Sequence, residues 1–264
     1  MRTSGLVTGQ TLPPSDEPHW SSSVFGDHFF ALARPGADRI AVAEAEFLLA
    51  VAGVGPGASV IDVGCGDGHH AAALSERGLR VLGLEASPAQ IHRASQNFGP
   101  GLPNLRWLLG DVRQRPVAET FDLVTCLGTS FGHYDEGQNR VVLESLRDLC
   151  RPSGGRLVLH VLNRDYVVPR LPARSWWQGQ GCLVLDEVEM QDWASRLSVR
   201  RTIVFEDGRQ FENAYTMRAY ALHELAALCE AVGLRVLEAS GSRHTRGRFF
   251  GATSPDIWLS LERR

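Results

Sequence analysis

Val60-Ile61-Asp62-Val63-Gly64-Cys65-Gly66-Asp67-Gly68 is the stretch from which the rest of the chain can be read. Val60, Ile61 and Val63 suit a strand buried on both faces. Three glycines at alternate positions then let the backbone turn sharply and approach a ligand that any Cβ would hold away. His69 to Arg77, alanine-rich around Leu74, predicts a helix that stops at Gly78. A nucleotide-like molecule is the natural occupant of such a turn.

Spacing narrows the kind of nucleotide. The dinucleotide fingerprint G-x-G-x-x-G is absent; the order here is Gly64-x-Gly66-x-Gly68, with Asp62 just before it. A second strand, Leu79 to Leu84, delivers Glu85, about 20 residues past the glycines, where a carboxylate can accept hydrogen bonds from ribose hydroxyls. A third, Leu105 to Leu109, ends at Gly110-Asp111, an acid suited to an exocyclic adenine amine. A fourth, Phe121 to Cys126, precedes the turn Leu127-Gly128-Thr129-Ser130. A nicotinamide dinucleotide would need a longer glycine loop, with a helix N-terminus holding its pyrophosphate.

These residues, with Arg151 to Leu157, resemble the class I S-adenosylmethionine-dependent methyltransferases. The run Arg151-Pro152-Ser153-Gly154-Gly155 is similar to that family's L-x-P-G-G turn, with Cys150 and Ser153 departing from its commonest residues. The resemblance is close over residues 40–162 and holds in pattern only beyond them. It implies an α/β fold: a doubly wound, seven-stranded, mostly parallel, Rossmann-like sheet, closed by an antiparallel C-terminal hairpin. It implies S-adenosylmethionine as cofactor, held by Asp62, Gly64, Cys65, Gly66, Gly68, Glu85, Ala86, Asp111, Val112, Cys126, Leu127 and Gly128.

Composition bounds the remainder. The chain has 264 residues, enough for a substantial core, and a formal net charge of −3, which gives no global drive towards nucleic acid or an anionic membrane. It contains no lysine, which excludes a lysine Schiff base and a P-loop within this chain. Five scattered cysteines without a C-x-x-C pair predict reduced thiols and a cytoplasmic location, and no metal site is expected. No apolar run approaches membrane-spanning length.

Residues 1–23 are rich in Ser, Thr, Pro and Gly and predict a mobile arm. Val24 to Val54 reads as helical, broken around Pro35-Gly36, with Phe25, Phe29 or Phe30 available to close over the cofactor. The core then occupies residues 24–162, and residues 221–264 complete its sheet. Between them, 163–220 breaks the alternation: Leu183–Met190, Leu197–Phe205 and Phe211–Ala219 predict three strands, the last two joined by a hairpin at Asp207-Gly208. This antiparallel β insertion is expected to act as a substrate lid or a dimer contact.

The acceptor side rests on resemblance. Thr129-Ser130-Phe131-Gly132-His133-Tyr134 is similar to the N-S-F-A-H or T-S-F-G-Y stretch of glycine-type and antibiotic-tailoring N-methyltransferases, which lines their methyl-transfer cleft. It implies His133 as base or orienting residue and Tyr134 as an acceptor contact. Asn163-Arg164-Asp165-Tyr166 resembles H-R-N-Y, where the arginine holds a substrate carboxylate, although the histidine is absent here; the bond Arg164 can make to Asp165 is the competing expectation. Trp176-Trp177, in a loop opening the insertion, offers an aromatic wall for a bulky acceptor or an anchor of the insertion in the core, one role for each ring, with Trp176 taken as the acceptor contact. The sequence thus predicts N- or O-methylation of a small molecule in secondary metabolism, with a homo-oligomer possible. The alternatives are a protein that binds S-adenosylmethionine without transferring its methyl group, and a nicotinamide-dependent oxidoreductase.

Overall fold

The computed structural model describes residues 24–26, 37–98 and 101–264. The predicted arm, the break at Pro35-Gly36, Phe29 and Phe30 lie outside them.

Helix α1 (Ala37–Ala52) leads into β1 (Ser59–Val63), α2 (His69–Ser75), β2 (Arg80–Glu85), α3 (Pro88–Phe98), β3 (Leu105–Leu109), β4 (Leu123–Cys126), α4 (Glu136–Leu149) and β5 (Arg156–Leu162). After the insertion come α6 (Leu222–Ala231), β10 (Leu234–Ser240) and β11 (Asp256–Arg263). The main sheet has seven strands in the order β10-β11-β5-β4-β1-β2-β3. β1 to β5 run parallel, whereas β11 is antiparallel to both β5 and β10. This is the doubly wound sheet and C-terminal hairpin that the sequence predicts.

Successive residues of each central strand serve opposite layers. Val60, Leu123 and Val158 pack with Ala41, Ala45 and Leu48 of α1, and with Leu74 of α2. Ile61, Val124 and Leu157 pack with Leu143 and Leu146 of α4 and Leu225 of α6. Each fully buried Leu or Ile contributes about 1.5–3 kcal/mol. The near-continuous apolar runs of β1 and β4 follow from this two-sided burial. Strand order reverses between β1 and β4, so a crevice opens there beyond their carboxyl ends.

The insertion differs from expectation in one respect. Its sheet has four strands, β6 (Ala173–Gln178), β7 (Cys182–Gln191), β8 (Arg196–Phe205) and β9 (Gln210–Arg218), all antiparallel. The extra strand carries Trp176 and Trp177, which the sequence reading put in a loop. Preceded by Pro172 and carrying Arg174, Ser175 and Gln178 around its tryptophans, it shows no apolar alternation. It is a strand because β7 offers it an edge, pairing Trp176 with Leu185 and Trp177 with Val184. The hairpin at Asp207-Gly208 forms as predicted, with Gly208 at φ 86°.

Candidate active site

A cavity of about 350 Å³ lies at the carboxyl ends of β1, β2 and β4. Asp62, Gly64, Cys65, Gly66, Glu85 and Ala86 line it from β1, β2 and the glycine turn. Asp111 and Val112 line it after β3, and Cys126, Leu127, Gly128, His133 and Tyr134 after β4. Gly68, Arg164 and Trp176 do not line it.

The glycine turn is shaped by contact. Gly64 sits at φ 71°, and a Cβ there would fall 2.7 Å from Ser130 Cβ. Ser130 Oγ donates to the Gly64 carbonyl at 3.1 Å, locking the first turn to the one after β4. In that second turn Gly128 and Thr129 both hold positive φ, 61° and 64°; for Thr129 this is a strained conformation of the kind found at ligand sites. Gly68 does a different job. At φ 91° it precedes α2, and a Cβ there would lie 2.5 Å from the Trp107 ring. It makes room for β3 rather than for a ligand.

Three buried or half-buried acids face the cavity. Asp62 accepts from Thr125 Oγ1 at 2.6 Å, and burial raises its pKa against the pull of His70 and that bond. Glu85 accepts from the Gly66 and Ser87 amides at 3.0 and 2.8 Å. Burial raises its pKa too, the amides opposing. Each Glu85 oxygen keeps lone-pair capacity for a further donor. Asp111 accepts from the Arg113 amide at 2.9 Å and from its guanidinium at 2.6 Å, and that guanidinium lies 3.8 Å over the Tyr134 ring. Arg113 thus fixes Asp111 and Tyr134 together, a part no motif announces.

Burial pushes the Cys65 and Cys126 thiols well up, so neither is a nucleophile at neutral pH. Burial opposes protonation of His70, but its 2.7 Å bond to Glu44 and the charges of Asp62 and Glu44 outweigh it and raise its pKa. Arg243, from the hairpin between β10 and β11, approaches Glu44 from behind at 3.4 Å.

His133 is 5% exposed, and its pKa is lowered to about 4 by burial and by the Arg196 charge, opposed by the hydrogen bond its ring donates to the Thr129 backbone. The ring packs edge-on to Phe25, centroids 6.0 Å apart, and 6.2 Å from Tyr215 of β9. The insertion holds this loop directly. Arg196 donates to the His133 carbonyl at 3.0 Å and the Tyr134 carbonyl at 2.7 Å, and the Arg218 amide donates to the Gly132 carbonyl at 2.7 Å. Arg196, Tyr215 and the cavity-lining Gln90 were missed by the sequence reading; no local spacing marks them.

Arg164 opens a one-turn helix, α5 (Arg164–Val167), and lines a separate cleft beside Ser195 and Glu224. It donates to Ser195 Oγ at 3.1 Å and to Asp165 at 3.2 Å, the competing expectation for this residue. Trp176 projects from the outer sheet face, 72% exposed, while Trp177 turns inward against Arg201.

The donor set tests what can bind. Four acids, Asp62, Asp67, Glu85 and Asp111, line the cavity together with His70 and His133; among the described residues no arginine lines it. A pyrophosphate would find no arginine here and would face Asp62, Glu85 and Asp111, which suit a cationic nucleoside derivative instead. No group of three His, Cys, Asp or Glu suited to a metal occurs among the described residues. No helix among them is long and apolar enough to cross a membrane.

Comparison with known proteins agrees with this geometry. Residues 60–154 match a methyltransferase domain family. Over 124 residues the chain is 32% identical to glycine N-methyltransferase of Rattus norvegicus, covering 41% of this chain and 42% of that one. It is 26% identical over 198 residues to dTDP-4-amino-2,3,4,6-tetradeoxy-D-glucose N,N-dimethyltransferase of Saccharopolyspora spinosa, covering 73% and 78%. The CcbJ methyltransferase of Streptomyces caelestis superposes with a TM-score of 0.78 at 19% identity, covering 92% and 99%. The chain thus spans under half the length of the glycine N-methyltransferase it matches. The seven-stranded sheet, the glycine turn and the family match agree that residues 60–154 form a methyltransferase domain.

Proposed function

We propose that this protein transfers a methyl group from S-adenosylmethionine to a small-molecule acceptor, N- or O-directed, in secondary metabolism. The observation that carries this reading is the acid-lined, arginine-free cavity at the strand-order reversal, with His133 on its wall. When bound, S-adenosylmethionine supplies an electrophilic methyl on a sulfonium, open to in-line displacement. Glu85 and Asp111 would hold its nucleoside, and Asp62 with the glycine turn its amino-acid end. The loop 129–134, clamped by Arg196 and Arg218, would align the acceptor and exclude water.

An amine is the acceptor atom favoured here. His133, with its pKa near 4, is neutral at pH 7 and too weak a base to deprotonate an ammonium or a hydroxyl in bulk. It can accept a hydrogen bond and orient a neutral amine. The amino-sugar and glycine acceptors in the relatives' names support the same class. Residues 163–220 act in this reading as the lid over a core formed by 24–162 and completed by 221–264. A cytoplasmic location belongs to the same reading, supported by five buried cysteines, none of them joined in a disulfide.

The test is incubation with S-adenosylmethionine and a panel of small amines and amino sugars, following S-adenosylhomocysteine. Acceptor-dependent, stoichiometric release supports transfer. Tight binding with no release across the panel would favour a cofactor-binding protein, and stabilisation by a nicotinamide dinucleotide alone would favour an oxidoreductase.

A further inference from the structure

His160 is a half-buried imidazole in the otherwise apolar run Leu157 to Leu162 of β5. It grips two consecutive amides of the turn after β4. Its ring Nδ1 accepts from the Gly128 amide at 3.2 Å, and its carbonyl accepts from the Thr129 amide at 3.2 Å. Those are the two residues of that turn with left-handed backbone, a conformation that a β-branched residue such as Thr129 rarely holds. Ser130, the next residue, carries the bond to the Gly64 carbonyl. One short turn thus joins His160 to the glycine turn, and the same turn leads directly into the His133 loop.

Packing holds the imidazole in place. The register of β5 and β11 sets His160 opposite Trp258, and the two rings stack with centroids 3.8 Å apart and 8° between their planes. Trp258 is itself buried, edge-on to Phe47 of α1 with centroids 5.2 Å apart. Because Nδ1 accepts, the ring proton belongs on Nε2. That nitrogen is buried 3.5 Å from Asp256 Oδ1, an approach without hydrogen-bond geometry. A valine or leucine would complete the apolar run without burying an unsatisfied N–H. What neither could supply is an acceptor for Gly128.

We propose that His160 is a positioning residue, which holds the left-handed turn Gly128-Thr129 through Nδ1 and its carbonyl and so fixes the His133 loop relative to the glycine turn. This rests on the reading that a methyl group passes between those two segments, a displacement that depends on the alignment of donor and acceptor. His160 does not line the cavity and touches neither reactant; it acts through the turn.

Two substitutions separate the acceptor from the stack. His160→Phe keeps a ring against Trp258 and removes Nδ1; His160→Asn places an oxygen near the position of Nδ1 and removes the ring. Solvent exchange of the Gly128 amide is measured by NMR on the full chain without ligand. Turnover is measured with S-adenosylmethionine and the most active amine of the panel above, and S-adenosylhomocysteine binding by calorimetry. One neutral hydrogen bond is worth about two- to tenfold. His160→Phe should therefore speed Gly128 exchange and lower kcat by about that factor, with S-adenosylhomocysteine bound within about threefold of wild type. His160→Asn should restore exchange and kcat to within about twofold of wild type, although its thermal midpoint falls below that of His160→Phe. A purely structural histidine predicts the reverse, with activity following the midpoint, and that order would overturn the assignment. So would Gly128 exchange in His160→Phe within 1.5-fold of wild type, or, should that variant not fold, a His160→Asn with exchange and kcat about tenfold off wild type. A wild type that binds no S-adenosylhomocysteine and methylates no amine would instead overturn the functional reading, while faster Gly128 exchange in His160→Phe would still establish the grip on the turn.

Discussion

Gly68 and Gly83 allow the turn's steric logic to be measured, because both abut one ring. A Cβ at either position would fall 2.5 Å from Trp107, and at Gly83 it would also fall 2.9 Å from Cys65 Sγ. Only Gly68 has positive φ, 91°. Gly83→Ala therefore meets overpacking alone, about 1–3 kcal/mol. Gly68→Ala meets overpacking against Trp107 and Ala94 plus a left-handed backbone, adding about 1–2 kcal/mol for a total of roughly 2–5 kcal/mol. For a chain of this size the thermal midpoint falls by about 2–4 °C per kcal/mol. Gly83→Ala should lower it by roughly 2–12 °C and Gly68→Ala by roughly 4–20 °C. Urea unfolding of both variants gives the energies, and trimming the ring with Trp107→Leu separates the causes. In the trimmed background Gly83→Ala should lose most of its extra cost, while Gly68→Ala should keep the backbone share. Equal destabilisation by the two alanines would refute the left-handed argument. Two variants within 0.5 kcal/mol of wild type, a margin set by ordinary surface substitutions, would refute the close approach itself.

Three further outcomes follow from the same contacts. Because His133 orients the acceptor, His133→Gln should bind S-adenosylhomocysteine within about threefold of wild type yet lose on the order of a hundredfold in turnover, and near-full turnover would remove His133 from the mechanism. Because the folded state lowers the His133 pKa from 6.5 to about 4, its contribution to stability is complete above pH 6.5 and is lost as pH falls towards 4. The wild-type-minus-His133→Gln stability difference should therefore drop across that window by up to about 3 kcal/mol, a flat difference refuting the burial argument. In the β insertion, Arg201 makes two 2.7 Å bonds to Asp186, both side chains being buried; Asp186→Leu or Arg201→Met alone should cost about 3–5 kcal/mol, and the pair together far less, so additive losses in urea would contradict an isolated buried pair.

Much of the core fold is legible along the chain. The strands around Val60-Ile61-Asp62-Val63 and Phe121 to Cys126 are read from apolar runs that only two-sided burial explains, and the helices between them from caps and glycine stops. The acids lining the cavity are legible for the same reason. In a parallel sheet, residues at or just past the carboxyl end of each strand gather at one end whatever the loops do, so Asp62, Glu85 and Asp111 converge once the strands are correctly bounded. β6 is not legible, since its strand character comes from the edge that β7 presents.

By itself the sequence determined a parallel α/β sheet, a glycine turn short of a dinucleotide loop, and the strand tips that carry carboxylates, because each is written in neighbouring residues. Tertiary structure alone decided which glycine lines the cavity and which faces Trp107, that Arg164 belongs to another cleft, and that Arg196 holds the His133 loop across 63 residues of chain. Those outcomes depend on side-chain direction and on contacts between distant elements, neither of which leaves a local pattern.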